Sequence, residues 1–198
     1  MSPKITESAI ESLAIELLEK LGYTHLYGTD IAPDGAYPER SSFEDVVLVA
    51  RVQDAVARIN PGVPLEARED AVKQVLRLNS PNLLANNEAF HRMLTEGVRV
   101  SYQKNGDIRG DLVWLIDERN LDNNDFLAVN QFTVVENDLH KRLDMVLFIN
   151  GLPLVVFELK NPAQENATVR SAFQQIQTYK AMIPRLFAYN GFIVLSDG

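Results

Sequence analysis

The hydrophobic pattern of the first half of the chain predicts amphipathic helices. Apolar residues recur at the three- and four-residue spacing of a helix over residues 6–21, and Gly22 ends that helix. We expect its apolar stripe to face the core; the members are Ile10, Leu13, Ala14, Leu17, Leu18 and Leu21. After a loop over residues 22–42, the same spacing and the proline positions predict three further helices, near residues 43–59, 64–78 and 82–95.

The second half of the chain has mainly the pattern of strands. Apolar runs predict strands at residues 98–104, 111–117 and 126–136. Two more runs meet at Asn150-Gly151, the strongest short signal for a β-hairpin. A helix at about 168–183 and a buried strand at 192–195 follow. This order predicts an α/β fold with a mixed sheet, with a helical insertion at about 43–95 and a core at about 98–198.

Composition narrows the class of protein. Of the 198 residues, 46% are hydrophobic and 23% are charged, which is ordinary for a soluble globular protein. No apolar run approaches the ~20 residues of a membrane-spanning helix, and the N-terminal segment predicts no secretory signal. The chain has no cysteine, which excludes disulfides and cysteine-bound zinc and agrees with a cytoplasmic location.

The charge is unevenly distributed. The net charge of −8 argues against a protein that coats DNA without help. Residues 1–139 contain 13 Lys and Arg against 23 Asp and Glu, whereas residues 140–198 contain 6 against 4. We therefore expect any contact with DNA to be local to the last part of the chain, and tight binding to need partners.

Three charged residues interrupt the apolar runs of the hairpin. They are Asp144 in the first run and Glu158 and Lys160 in the second. Glu158 and Lys160 share one face of their strand because they are two residues apart. A strict two-residue turn would put Asp144 on the opposite face, whereas an odd-length loop or a bulge would bring it to the same face. Asn-Gly also suits a three-residue loop, so the required geometry is available, and we predict that Asp144, Glu158 and Lys160 converge on one face.

These residues carry a resemblance to a known family. Asp144, a hairpin and then Glu-Leu-Lys at 158–160 resemble the PD-(D/E)xK nuclease motif, with Leu143 where that motif often has proline. The string Asn-Gly-Leu-Pro-Leu-Val-Val-Phe-Glu-Leu-Lys-Asn over 150–161, followed by Gln-Ile-Gln-Thr-Tyr over 175–179, resembles the N-terminal part of the restriction (motor) subunit of type I restriction–modification enzymes. The resemblance extends from Thr6 to the end of the chain and implies a restriction-endonuclease-like mixed sheet flanked by helices.

The resemblance implies a metal-dependent active site in the hairpin. Asp144 and Glu158 would bind Mg²⁺ through hard oxygen ligands, with the backbone carbonyl of Leu159 as a further ligand. Lys160 would orient the attacking water or the phosphate. Without the family resemblance, a surface ion pair between Glu158 and Lys160 on an edge strand remains an alternative. Apolar residues on both sides of that strand favour an interior position.

An acidic residue of the first helix helps the metal site in the related nucleases. Glu7 lies inside the predicted apolar arc and fits that role, although an acid at the start of a helix also favours the helix dipole. Glu11 could form a capping box with Ser8 instead.

The helix that follows the hairpin supplies the expected contacts to DNA. Gln175 and Tyr179 are four residues apart and share one edge of the helix. As a bare pattern this pair is typical of a helix surface. The resemblance implies that Gln175 contacts DNA and that Tyr179 packs and positions. We expect Arg170 and Lys180 of the same helix to contact phosphates.

Together these observations predict the endonuclease domain of a type I restriction enzyme. The resemblance implies cleavage of unmodified foreign double-stranded DNA after ATP-driven translocation by motor domains that would follow Gly198. It also implies methyltransferase and specificity subunits as partners. No GxxxxGK[ST] motif is present, so ATP would bind outside this segment. The alternatives are a silent nuclease fold that binds DNA or docks the complex, and a plain protein-interaction domain.

Overall fold

The computed structural model describes residues 6–160 and 168–196. They form a main sheet with helices on both sides and a second, two-stranded sheet. The helices are α1 (Glu7–Lys20), α2 (Val49–Ile59), α3 (Leu65–Leu76), α4 (Leu83–Glu96), α5 (Val169–Met182) and α6 (Pro184–Tyr189). The strands are β1 (Thr24–Tyr27), β2 (Val98–Lys104), β3 (Asp107–Val113), β4 (Phe126–Glu136), β5 (Leu139–Ile149), β6 (Leu152–Leu159) and β7 (Phe192–Ser196). No helix within the described ranges is long and apolar enough to cross a membrane.

The main sheet is mixed, as the sequence predicts. Its strand order is β1-β4-β5-β6-β7. Strand β5 pairs antiparallel with β4 on one side and with β6 on the other. At the edges, β1 pairs parallel with β4, and β7 pairs parallel with β6. The restriction-endonuclease-like α/β fold is thereby confirmed. Strand β6, which carries Glu158, has a neighbour on each side and is an interior strand.

Strands β2 and β3 form a separate two-stranded sheet. They pair around the Asn105-Gly106 turn, so the second strand starts at Asp107 rather than at 111. Strand β1, within the segment predicted as a loop, belongs to the main sheet instead. The division into an insertion at about 43–95 and a core at about 98–198 stays a prediction.

The two faces of the main sheet are covered unequally. Helices α2 to α6 contribute buried residues to one large core, which also contains Val129, Phe148 and Val156 of the sheet. On the opposite face, α1 packs through Leu18 against a small cluster with Met145. Among the described residues, α1 is the helix that contributes to this smaller cluster.

Helix α1 corrects two expectations. Its N-cap is Thr6, whose hydroxyl accepts a hydrogen bond from the Ala9 N–H, so Ser8 and Glu11 do not form the capping box. The predicted stripe is also split. Ile10 and Leu18 are buried as expected, but the side of the helix that carries Leu13, Leu17 and Leu21 is exposed. One helix lying on a sheet buries a narrower arc than the periodicity indicates.

Smaller differences concern element ends and the last strand. Helix α2 begins at Val49, not near 43. A short helix, α6, follows α5 and was not predicted; its Pro184 occupies the first turn, where proline is tolerated. Strand β7 is present where predicted but is an edge strand, and its Phe192 is 73% exposed rather than buried.

Candidate active site

The hairpin has the register that brings its charged residues to one face. Asn150 and Gly151, with φ of 53° and 80°, form a two-residue turn, and Ile149 pairs with Leu152 across it. The register then shifts by one residue, because Phe148 pairs with Pro153 whereas Leu147 pairs with Val155. A bulge therefore supplies the parity change, not the three-residue loop that Asn-Gly also suits.

The bulged residue is Leu154. Its carbonyl accepts hydrogen bonds from the Gly191 N–H at 2.8 Å and from the Asn190 side chain at 3.1 Å. The segment before β7 therefore supplies the hydrogen-bond donors for this carbonyl. Pro153 is the sequence signal that could have located the bulge, since proline in an interior strand is usually found at a bulge. Beyond the bulge Met145 pairs with Phe157, which puts Asp144 opposite Glu158.

Asp144, Glu158 and Lys160 come together at the end of the hairpin that is away from the turn. The carboxylate of Asp144 accepts a hydrogen bond from the Leu159 N–H at 2.6 Å across the β5–β6 pair. Lys160 Nζ donates to Glu158 Oε1 at 2.5 Å. The Glu158 side chain is 0% exposed and that of Lys160 is 16% exposed. The ion pair is therefore present, but it lies inside the protein rather than on a surface edge strand.

Helix α5 extends this group of side chains. Thr168 and Ser171 form a capping box that starts the helix one turn before Gln175. Gln175 Oε1 accepts a second hydrogen bond from Lys160 Nζ at 2.7 Å, and Gln175 Nε2 donates to the hydroxyl of Tyr179 at 2.5 Å. Gln175 thus contacts the lysine of the site, and Tyr179 is buried beneath it.

The acidic residues of the site also affect Tyr179. Burial is the main cause that raises the pKa of its hydroxyl; the Gln175 hydrogen bond opposes this rise, and the negative charges of Glu158 and Asp144 add to it. Two cations that affect Tyr179 have no role predicted from the sequence. Lys141 Nζ lies 5.9 Å from the Tyr179 ring centroid, and the positive charge of Arg142 lowers the pKa of the Tyr179 hydroxyl. The signal in the sequence for these two cations was the Lys-Arg pair at 141–142, just before Asp144.

The donor atoms at the site are those that Mg²⁺ prefers. In an extended strand the N–H and C=O of one residue point to the same neighbouring strand. We therefore expect the Leu159 carbonyl to point toward β5, as its N–H does. Among the described side chains, no three His, Cys, Asp or Glu form a group that could hold a metal ion. Two carboxylates and a carbonyl suffice for Mg²⁺ if water and substrate phosphate complete its octahedron.

Three other residues predicted for the site do not join Asp144, Glu158 and Lys160 in the described structure. The side chain of Glu7 lies outside the described residues, so its role at the metal stays a prediction. Arg170 is exposed, and Lys180 is half-buried with its Nζ 5.9 Å from the Phe187 ring centroid. Both lie roughly 140° around the helix from Gln175 at ~100° per residue.

Glu11 is a further residue near the site that sequence reasoning assigned to helix capping. Its carboxylate accepts hydrogen bonds from the side chains of Asn130 at 2.6 Å and Gln131 at 3.0 Å, both on β4. Gln131 lies between two residues that pair with Leu143 and Met145, and so stands opposite Asp144. Glu11 therefore joins α1 to the strand beside the site.

The site combines the carboxylates of Asp144 and Glu158 with the ammonium group of Lys160. That ammonium group donates hydrogen bonds to Glu158 and to Gln175. Such a site can bind a hard cation and present an ammonium group next to it. An ammonium group beside carboxylates can position a water molecule or a phosphate oxygen. The chemistry that this arrangement favours is hydrolysis of a phosphate ester.

Comparison with known proteins identifies the family of this chain. A sequence model of the family described as "Type I restriction enzyme R protein N terminus" matches residues 4–198. The type I restriction enzyme HindI endonuclease subunit of Haemophilus influenzae is 39% identical over 195 residues, which is 98% of this chain and 18% of that protein. The putative type I restriction enzyme MjaIXP endonuclease subunit of Methanocaldococcus jannaschii is 36% identical over 192 residues, or 96% of this chain and 18% of that protein. The chain thus spans about a fifth of the length of these relatives.

Proposed function

Because this chain belongs to the family of type I restriction enzyme R protein N termini, we propose that its hairpin site hydrolyses phosphodiester bonds of DNA. The observation that carries the proposal is the meeting of Asp144, Glu158 and Lys160 on one face of an interior hairpin. A bulge is needed for that meeting. A carboxylate that is 0% exposed is costly to bury unless it is paired, and Lys160 pairs with it here.

Each residue has a distinct role in the proposed reaction. Asp144, Glu158 and the carbonyl of Leu159 would hold Mg²⁺. When bound, Mg²⁺ supplies an activated water and stabilises the negative charge that develops on the phosphate. Lys160 orients the water or a phosphate oxygen, and Gln175 holds the Lys160 ammonium group in place through its 2.7 Å hydrogen bond.

DNA would approach along the side of the site that carries basic residues. Lys141 Nζ lies 5.9 Å from the Tyr179 ring centroid, and Arg142 is the next residue on β5. We assign both to phosphate contacts, because Lys and Arg supply most of the affinity for the DNA backbone. Arg170 and Lys180 on α5 remain proposed contacts at its flanks. We assign Gln175 first to Lys160 and second to DNA.

The whole enzyme would be much longer than this chain. We propose that it acts in the cytoplasm on unmodified foreign double-stranded DNA, with ATP-driven translocation carried out by polypeptide beyond this segment. Methyltransferase and specificity subunits would be its partners. The support is that both relatives are named endonuclease subunits of type I restriction enzymes and are about five times as long as the segment they share with this chain.

The test is cleavage by the assembled enzyme with substituted sites. Asp144→Asn, Glu158→Gln and Lys160→Ala should each reduce double-strand cleavage by at least about 100-fold, while ATP hydrolysis stays within about twofold of wild type. Glu88→Gln and Arg92→Gln are matched controls, because that pair is an exposed ion pair on α4. Wild-type cleavage by all three site variants would disprove the proposal and favour a silent nuclease fold. Loss of ATP hydrolysis together with cleavage would point to a defect in folding or docking.

A further inference from the structure

Gln131 adopts a backbone conformation that is unusual inside a strand. Its φ is 55°, in the left-handed region that residues other than glycine rarely enter. Among the described residues, the other non-glycine positions with positive φ lie in hairpin turns: Asn105, Asn137, Asp138 and Asn150. Gln131 lies in the middle of β4, opposite Asp144. Strain of this kind persists only where surrounding contacts hold it.

The positive φ bends the β4–β5 pair at Asp144. Side chains alternate along a strand, so Phe132 should share the α1 face with Ala128. It instead belongs to the large core on the other face, and its ring lies 5.3 Å from that of Phe148. Likewise Leu143 and Met145 belong to different cores. Asp144 therefore sits at the point where the strand pair changes direction.

Side chains from two neighbouring elements hold the bend. Glu11 of α1 accepts hydrogen bonds from Gln131 and from the buried Asn130. The Asn130 amide oxygen in turn lies 3.0 Å from Nε2 of His25 on β1. Gly28 packs directly on the bend, because a Cβ there would lie 2.6 Å from the Gln131 carbonyl oxygen. These contacts form a tether from α1 to the strand opposite Asp144.

We propose that this tether, Glu11 with Gln131 and Asn130, is a positioning device for Asp144. The bend determines the position of the Asp144 carboxylate. The hydrogen bond from the Leu159 N–H to Asp144 Oδ2 depends on that position and therefore reports a change in it. Loss of the tether lets β4 straighten and moves the carboxylate away from Glu158. The inference rests on the proposed function, since Asp144 is there a metal ligand. Glu11 acts through Gln131 and the backbone.

The test uses two variants and two matched controls in the 198-residue chain. Glu11→Ala removes the acceptor, and Glu16→Ala, an exposed position on the same helix, is its control. Gln131→Val puts a β-branched residue at φ 55°, and Asn137→Val does the same at φ 50° in the β4–β5 turn. The readouts are hydrogen exchange of the Leu159 amide, with Val156 as internal reference, and Mn²⁺ affinity by calorimetry.

We expect both tether variants to speed exchange at Leu159 relative to Val156 and to weaken Mn²⁺ binding, each by about tenfold. Both controls should stay within about twofold, although Asn137→Val loses stability. Unchanged Leu159 exchange in folded Glu11→Ala, or equal effects of Gln131→Val and Asn137→Val, would overturn the inference. If the wild-type chain protects Leu159 but binds no Mn²⁺ with or without DNA, the metal role in the proposed function fails. The positioning of Asp144 is then judged from Leu159 exchange alone.

Discussion

The surroundings of Lys160 show how the site handles a buried charge. Among the described residues, its ammonium group has two acceptors, Glu158 Oε1 at 2.5 Å and Gln175 Oε1 at 2.7 Å. A paired charge inside a protein is costly to leave half-satisfied, because breaking the pair exposes the desolvation cost of the partner that remains. We therefore propose that Gln175 affects cleavage through the position of Lys160, even without a contact to DNA.

The first prediction concerns Gln175. Gln175→Ala should slow DNA cleavage by about 10- to 100-fold, which is typical when a residue that orients a catalytic group is lost. DNA affinity should fall by less than the cleavage rate, because the contact of Gln175 with DNA is secondary. Gln174→Ala is the matched control, since Gln174 is the exposed preceding residue on α5. Single-turnover cleavage and DNA titration on the same preparations separate the two effects. A loss of affinity with an unchanged cleavage rate would instead assign Gln175 to DNA binding.

The second prediction concerns alkaline pH and Tyr189. This side chain is 4% exposed, its hydroxyl donates to the Val75 carbonyl at 3.1 Å, and burial raises its pKa to about 12. In the unfolded chain the hydroxyl ionises near pH 10. The unfolded state therefore holds fewer protons than the folded state between these values, and stability falls as pH rises. The contribution is complete below about pH 10 and is lost through about pH 12.

Urea unfolding at pH 9 and pH 11 measures this effect. Between these values the free energy of unfolding of the wild type should fall by about 1 kcal/mol more than that of Tyr189→Phe, because the unfolded hydroxyl ionises in this range and the folded one does not. Tyr37→Phe, at an exposed tyrosine, should lose as much as the wild type. Equal losses in wild type and Tyr189→Phe would show that Tyr189 ionises in the folded state as easily as in the unfolded state.

At the scale of elements, the sequence predicted what is local, and it left open or missed what depends on packing. The Asn150-Gly151 turn, strand β4 and helix α5 follow from turn chemistry and periodicity. The bulge at Leu154 is set by contacts with the segment before β7, and the bend at Gln131 by contacts with α1. The exposed Leu13 and Leu17 have the same spacing as buried leucines, so periodicity alone could not separate them. The meeting of Asp144 with Glu158 depended on the bulge.

The third prediction tests how the hairpin turn packs. Gly151 has φ 80°, and a Cβ there would lie 2.5 Å from the Leu48 carbonyl oxygen. Gly106 has φ 86° in the β2–β3 turn, with nothing within 4 Å of its Cβ position. Both alanine substitutions incur the left-handed cost of about 1–2 kcal/mol. Gly151→Ala should lose about 1–3 kcal/mol more because of the close contact.

Thermal unfolding of the two glycine variants gives the comparison directly. For a domain of this size each kcal/mol lowers Tm by about 2–4 °C, so Gly151→Ala should melt several degrees below Gly106→Ala. Equal Tm values would mean that Leu48 moves aside, and that the turn is not packed against the start of α2.

At the scale of the whole molecule, charge separates the site from the remainder of the chain. The net charge is −8, yet residues 140–198 contain 6 Lys and Arg against 4 Asp and Glu. The acidic excess lies in the first 139 residues, which include α1 to α4. We therefore expect the first 139 residues as a group to repel a polyanion, and any attraction to be local to residues 140–198. This distribution suits a domain that other parts of an assembly bring to DNA.

The last prediction follows from that distribution. The 198-residue chain alone should bind non-specific duplex more weakly than about 10⁻⁶ M at ~150 mM salt, because few phosphate contacts oppose the overall repulsion. Arg142→Ala should weaken this binding and lower the dependence of log K on log salt by about one unit, as expected for a lost phosphate contact. Arg92→Ala, at an exposed position on α4, is the matched control and should change neither quantity. Titration of a fluorescent duplex at three salt concentrations measures both. A submicromolar dissociation constant for the wild-type chain would show that it engages DNA without a partner.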